Sequence, residues 1–158
     1  MTAPAHRVPP RLEGLFNAEY EPMYRLAFAI LSSDRDAEEV VQDAFAAVAS
    51  RWDSIDNPGG YLRVSVVNGA RKCLRSRSRR SQAEASLRTG AAETSPEAGD
   101  HLLDLVDRLP DRQRVAIVLT YYSGLNSTEV GELLDCPAAT VRSLIHRALT
   151  QLRKEVTQ

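Results

Sequence analysis

Gly124-Leu-Asn-Ser-Thr-Glu-Val-Gly-Glu-Leu-Leu-Asp-Cys-Pro-Ala-Ala-Thr-Val-Arg-Ser-Leu-Ile-His-Arg-Ala-Leu149 is the stretch on which the fold turns. Asn126 is followed three places later by Glu129, the spacing of a capping box, in which each side chain satisfies a backbone N–H left open by the first helical turn. Val130, Leu133 and Leu134 then fall at i, i+3 and i+4 and face one way. Asp135-Cys136 makes a short turn into Pro137, which suits the first position of a helix because the N–H it lacks has no partner there. In the helix that follows, Val141, Leu144, Ile145, Ala148 and Leu152 form an apolar stripe. Arg142, Ser143, His146 and Arg147 project from the opposite side. Two helices with apolar faces, joined by a tight turn, predict a helix-turn-helix.

The outward side of the second helix carries two arginines, a hydroxyl and an imidazole near its start and almost no acid. Arginine bonds bidentately to guanine, a contact worth about 1–3 kcal/mol of discrimination. The face therefore suits the DNA major groove. A solvated face on an ordinary helical hairpin would show the same spacing. The tight turn, the apolar stripe and the nearly acid-free surface favour DNA.

Upstream, Leu102, Leu103, Leu105, Val106 and Leu109 make a short helix that stops before Pro110. Residues 112–122, with Val115, Ile117, Val118 and Leu119, make the next. Residues 81–98 are rich in Ala, Ser, Thr and Glu, contain Gly90 and Pro96, and keep no apolar period. They predict a linker that reaches roughly 60 Å when extended. Before it, Leu12, Leu15, Phe16, Tyr20, Met23, Ala27, Ile30 and Leu31 mark one helix, with Pro22 a candidate kink. A second begins near Ser33 and buries Ala37, Val40, Val41, Ala44, Val48 and Trp52, with acids in its first turn to suit the helix dipole. Residues 53–60 read as a loop dense in turn formers. A third helix follows from Tyr61 and turns basic toward its end. Residues 1–10, with three prolines, read as a frayed arm. The expected architecture is all-α: two small helical domains, 11–80 and 99–158, joined by a flexible linker over 81–98.

The bulk properties fit this division. Hydrophobic residues make up 43% of the 158, enough for packed cores. The net charge of −1 hides a separation. Arg71, Lys72, Arg75, Arg77, Arg79 and Arg80 form a basic block, and Asp34, Asp36, Glu38, Glu39 and Asp43 an acidic one. One surface thus suits a polyanion and another a different partner. No early apolar run reads as a signal peptide and none approaches the ~20 residues that span a bilayer, so a cytoplasmic protein without membrane insertion is expected. Cys73 and Cys136 lack the paired spacing of a zinc site, and the histidines are scattered; no metal and no cofactor are expected. No nucleophile–base pair or glycine-rich phosphate loop points to an enzyme.

Two segments together resemble an extracytoplasmic-function sigma factor, and the likeness suggests an actinobacterial one. The first is Asp36-Ala-Glu-Glu-Val-Val-Gln-Asp-Ala-Phe45; the second runs from Leu109-Pro-Asp-Arg-Gln-Arg114 through Leu152-Arg153 and includes Thr140-Val-Arg-Ser143 and His146-Arg-Ala148. Between them, Tyr61-Leu62, Asn68, Arg71 and Arg75 resemble the family's helix for the −10 promoter element. The order and separation of these motifs carry more weight than any one of them.

The resemblance implies a sigma-2-like domain that docks on the clamp of the polymerase's largest subunit through Asp36, Glu38, Glu39, Gln42, Asp43 and Phe45. It implies capture of an unpaired −10 base beside Ile55, Asp56 and Asn57, with Asn68 by that pocket and Arg71, Lys72 and Arg75 as phosphate clamps. It implies a sigma-4-like domain that reads the −35 element with Thr140, Arg142, Ser143, His146 and Arg147 and meets the flap of the second-largest subunit. An anti-sigma factor is a further partner that the family brings. Two departures stand out: Tyr61 where many members carry tryptophan, and Thr120 where relatives often carry arginine, which bears on the −35 sequence. A stand-alone helix-turn-helix regulator remains the alternative, although it leaves the acidic helix and Asn68 without a role.

Overall fold

The structure, a computed structural model, describes residues 10–85 and 101–157. Helix α1, Pro10–Leu31, continues through Pro22. It buries Leu12, Met23, Leu26, Ala27, Ile30 and Leu31 along one side. Helix α2, Asp34–Ser50, opens on Ser33, whose hydroxyl accepts from Asp36 N at 3.2 Å. Its inward side is Ala37, Val40, Val41, Ala44, Phe45 and Val48. A short 3-10 turn, Trp52–Ser54, follows, with Trp52 half-buried.

Helix α3, Pro58–Ala85, is longer at both ends than the sequence suggests. At its start, Gly60 N donates to Asn57 Oδ1 at 3.1 Å, and Pro58 takes a position where its missing N–H is no loss. That local capping outweighs the turn preference of Gly59 and Gly60. At its end, residues 81–85 stay helical because Ser, Gln, Ala and Glu offer no stop before Gly90. The linker expected from residue 81 therefore begins later, and its remainder, 86–98, lies outside the described residues, as does the arm expected over 1–10 except for Pro10, which opens α1.

The second module holds α4, His101–Asp107, and α5, Asp111–Ile117. The helix expected over 112–122 does not stay α-helical: Val118–Tyr122 form a π turn, in which Ser123 N donates to Val118 O at 3.2 Å. The wider turn lets Leu125 pack inward, its N–H donating to Leu119 O at 3.1 Å. Helices α6, Ser127–Leu134, and α7, Ala138–Val156, complete the module. Pro137 stands one place earlier than expected, at the N-cap, where its carbonyl accepts from Thr140 N at 3.0 Å. The described residues thus form seven α-helices and no strand.

The two modules touch. Helix α1 packs on α4 and on the π turn, and α3 packs on α5 and α6. One apolar cluster runs from Leu12 in α1 to Ala148 in α7. Among the described residues, Arg114 is the only charged side chain that is fully buried, and it lies at this junction. The sequence, read as two domains on a linker, gives no sign of that packing.

Candidate nucleic-acid interface

The helix-turn-helix is held by local chemistry. Asn126 N donates to Glu129 Oε1 at 3.1 Å and Glu129 N to Asn126 Oδ1 at 2.9 Å, the reciprocal capping box read from the sequence. After α6 the chain reverses at Asp135 in the left-handed region (φ 54°), and Cys136 N returns to Gly131 O at 2.9 Å. A methyl group on Gly131 would lie 2.5 Å from Cys136 O, so only glycine lets the turn close this tightly. Val141, Leu144 and Ala148 are buried, while Ile145 and Leu152 are half-buried. Arg142, Ser143, His146 and Arg147 all face solvent, and Thr140 is half-buried beside them. Within the described residues no ion pair engages either arginine, so both guanidinium groups keep their full donor set.

Thr120, where the family often carries arginine, is half-buried in the π turn, and its hydroxyl is buried without a hydrogen-bond partner. It points inward and does not extend the exposed face of α7.

In the first module the loop after α2 borders an open pocket of about 390 Å³, lined by Arg51, Ser54, Ile55, Asp56, Asn57, Gly60 and Tyr61. Ile55, Asp56 and Asn57 are thus brought together with Tyr61, and Arg51 and Ser54 join them as lining residues that the sequence reading does not pick out. Asn57 is partly committed, since its side-chain oxygen caps α3.

Asn68 is not at this pocket. It lies about 10 Å farther along α3, exposed, in a second groove of about 530 Å³ between α2 and α3. Glu39 and Asp43 from α2, and Ser65 and Lys72 from α3, share that groove. The helices come close at Gly69, where an added Cβ would sit 3.1 Å from Val40 Cγ1. Asn68 is also not a buried amide tied to backbone, the other role the sequence allows it. Its seven-residue separation from Tyr61 fixes a shared helix face but not what stands opposite.

Of the basic block, Lys72, Arg75, Arg79 and Arg80 are exposed and Arg71 is half-buried. Arg77 turns inward: Nη1 donates to Leu31 O at 2.7 Å and Nη2 pairs with Asp36 at 2.5 Å. That pairing removes Asp36 from the free acids of α2 and, through the hydrogen bond from Arg77, holds its carboxyl below the usual range. Glu38, Glu39, Gln42 and Asp43 remain exposed.

Phe45 is buried, its ring centroid 5.0 Å from Phe16 and 6.2 Å from Tyr20. It is packed beneath the exposed face of α2, and only its edge lines an apolar groove with Leu12, Phe16, Ala46 and Ala49. Phe16, Tyr20, Tyr24 and Phe28, spaced four apart, form a ladder of rings along α1 with Phe16 45% exposed. The Tyr24 hydroxyl donates to Asp34, and this bond, with some burial, raises its pKa to about 12. Burial also raises the Cys73 thiol. Among the described residues no three His, Cys, Asp or Glu side chains gather to hold a metal ion, and no helix is long and apolar enough to cross a membrane.

A helix-turn-helix with an open arginine face, joined to a helical module that sets basic residues beside an open pocket, defines a two-part DNA-binding protein. Residues 15–80 match Sigma-70 region 2, and residues 100–152 match Sigma-70, region 4. The chain belongs to the sigma-70 family, in its extracytoplasmic-function group. It is 27% identical over 158 residues to the RNA polymerase sigma-E factor of Streptomyces avermitilis, covering 96% of this chain and 88% of that one. The ECF RNA polymerase sigma factor SigE of Mycolicibacterium smegmatis is 33% identical, covering 91% of this chain and 61% of the relative. The fold resembles that of the sigma factor RpoE in complex with the anti-sigma factor NepR from Bartonella quintana, with a TM-score of 0.74, 20% identity and coverage of 94% and 98%. It also resembles CnrH in complex with the cytosolic domain of CnrY, with a TM-score of 0.66, 20% identity and coverage of 92% and 87%.

Proposed function

We propose that this chain is a promoter-recognition subunit that joins core RNA polymerase in the cytoplasm, directs it to particular promoters and leaves the chemistry of RNA synthesis to the polymerase. The observation that carries this reading is the presence, in family order, of two open nucleic-acid faces of different kinds. One is a recognition helix suited to duplex DNA; the other is a pocket and basic helix suited to an unpaired strand.

In this reading the sigma-4-like domain, 99–158, reads the −35 element with Arg142, Ser143, His146 and Arg147, helped by Thr140, and meets the flap of the second-largest polymerase subunit. The sigma-2-like domain, 11–80, seats an extruded −10 base against Ile55, Asp56 and Asn57. Extruding a base costs a few kcal/mol, so the strand also needs anchors. It passes along α3 to Asn68, whose amide can donate and accept toward a base edge, and to Arg71, Lys72 and Arg75, which hold phosphates without reading sequence. Glu38, Glu39, Gln42 and Asp43 face the clamp of the largest subunit, with Asp36 and Phe45 fixing the helix that carries them. An anti-sigma factor is the partner class suggested by the solved relative that is bound to one.

Run-off transcription with purified core polymerase tests the reading. Added chain is expected to yield a transcript from a subset of promoters and none from scrambled −35 or −10 sequences. Sequence-specific duplex binding without any transcript would instead mark a stand-alone regulator.

A further inference from the structure

Two side chains of opposite charge share the pocket after α2 without pairing. Arg51 and Asp56 both line it, both are exposed, and among the described residues no ion pair engages either. The 3-10 turn Trp52–Ser54 stands between them in the chain. Arg51 N donates to Val48 O at 3.2 Å and Ser54 N to Arg51 O at 2.9 Å, so backbone bonds hold the turn that separates the two charges.

Their neighbours in the pocket have fixed polarity. The Ser54 hydroxyl donates to Arg51 O at 2.9 Å, which leaves its oxygen to accept. Asn57 Oδ1 accepts from Gly60 N at 3.1 Å, which leaves its NH2 group to donate. An added Cβ on Gly60 would lie 2.8 Å from Asn57 Nδ2, so the glycine makes room for that amide. Tyr61 adds an aromatic ring to the lining, a surface on which any base can stack. The pocket thus offers acceptors at Asp56 and Ser54, and donors at Arg51 and Asn57.

An extruded base is read on its Watson–Crick edge. Cytosine, adenine and guanine each carry an amine and an acceptor on that edge, so a carboxylate and a guanidinium can face them together. Thymine presents a single N–H between two carbonyls, and a carboxylate that reaches the N–H meets a carbonyl oxygen on either side. We infer that Asp56 and Arg51 make this pocket select a base with an exocyclic amine and reject thymine. Asp56 accepts from the amine, and Arg51 donates to an acceptor on the same edge. The inference rests on the proposed entry of an unpaired base here, and it assigns the reading of that base's identity to these two side chains. A polar site rejects most strongly the ligand that leaves its groups unpaired.

Transcription by core polymerase with the full chain, from a promoter library randomised across −10 and barcoded downstream of the start site, tests the assignment. At one position thymine is expected about tenfold below the other bases, the usual scale for one paired contact to a base. Deoxyuridine there shares thymine's edge without its methyl group and should be rejected equally. Its acceptance would assign the rejection to a clash with the methyl group and overturn the inference. Asp56→Asn, whose amide also donates to a carbonyl, should remove most of the depletion while preferences at other positions persist. Arg51→Ala should lower transcripts from the amine-bearing templates and narrow the gap. Thymine accepted equally by the parent chain would overturn the inference, as would unchanged depletion in Asp56→Asn. Should Asp56→Asn give no transcript, Asp56→Ser and Arg51→Ala decide by the same ratio. No transcript from the parent on any template would refute the functional reading and this inference with it, whereas transcripts without the depletion refute the inference alone.

Discussion

A methyl group on Gly131 has nowhere to go, because the atom it meets is the backbone oxygen of Cys136 and not the end of a movable side chain. Gly131→Ala is expected to destabilise the second module by about 2 kcal/mol, as overpacking does, and to loosen the turn that aims α7. Thermal melts and binding to a −35 duplex should fall together. Asp36 makes a different kind of test. The hydrogen bond from Arg77 lowers its pKa, so the pair contributes stability that is fully present above the ordinary aspartate pKa of about 3.9. That contribution is lost as pH falls through the lower folded value. Asp36→Asn should therefore cost about 1 kcal/mol at neutral pH, and the gap to the parent should close in urea melts below about pH 4. An equal gap at both ends of the range would mean that the pair contributes nothing.

At the scale of elements, α3 is the one whose role depends most on where its side chains lie. Asn68→Ala should impair opening at −10, measured by fluorescence of a base analogue in the promoter, and leave −35 duplex binding nearly unchanged. Equal loss at both would mean that the substitution only unfolds the first module. The helix-turn-helix was legible in the sequence because each of its signals is local: Asn126 reaches Glu129, and the stripe from Val141 repeats within one helix. The start of α3 was not legible, because a single side-chain bond from Asn57 overrules the turn preference of two glycines. The π turn leaves no periodic signature, being one residue of extra winding. Asn68 could be placed on a helix face by counting, but its groove is made by α2, whose approach is a tertiary fact. The contact from Arg114 to Ile30 spans most of the chain, and no local pattern announces it.

At the scale of the whole molecule, the net charge of −1 is a sum over acidic and basic helices, and α2 and α3 bring the two signs together along one groove. The exposed acids of α2 and the exposed bases of α3 and α7 suit partners of opposite charge, which electrostatic steering can sort. Glu39→Lys with Asp43→Lys should lower affinity for core polymerase about tenfold, read by competition against the parent chain, while helicity stays unchanged. No change in affinity would mean that the docking face is mainly apolar, which would point to the ring ladder of Phe16 and its neighbours. The position of Trp52 has a further consequence. It is the only tryptophan in the chain, half-buried in the short turn that leads into the pocket of Ile55, Asp56 and Asn57, and the second module has none. Indole emission excited selectively therefore gives the molecule a built-in optical reporter with one line of sight. Its colour and intensity should change when a single strand fills the pocket and stay still when duplex occupies α7, so the two recognition events can be timed separately in unlabelled protein.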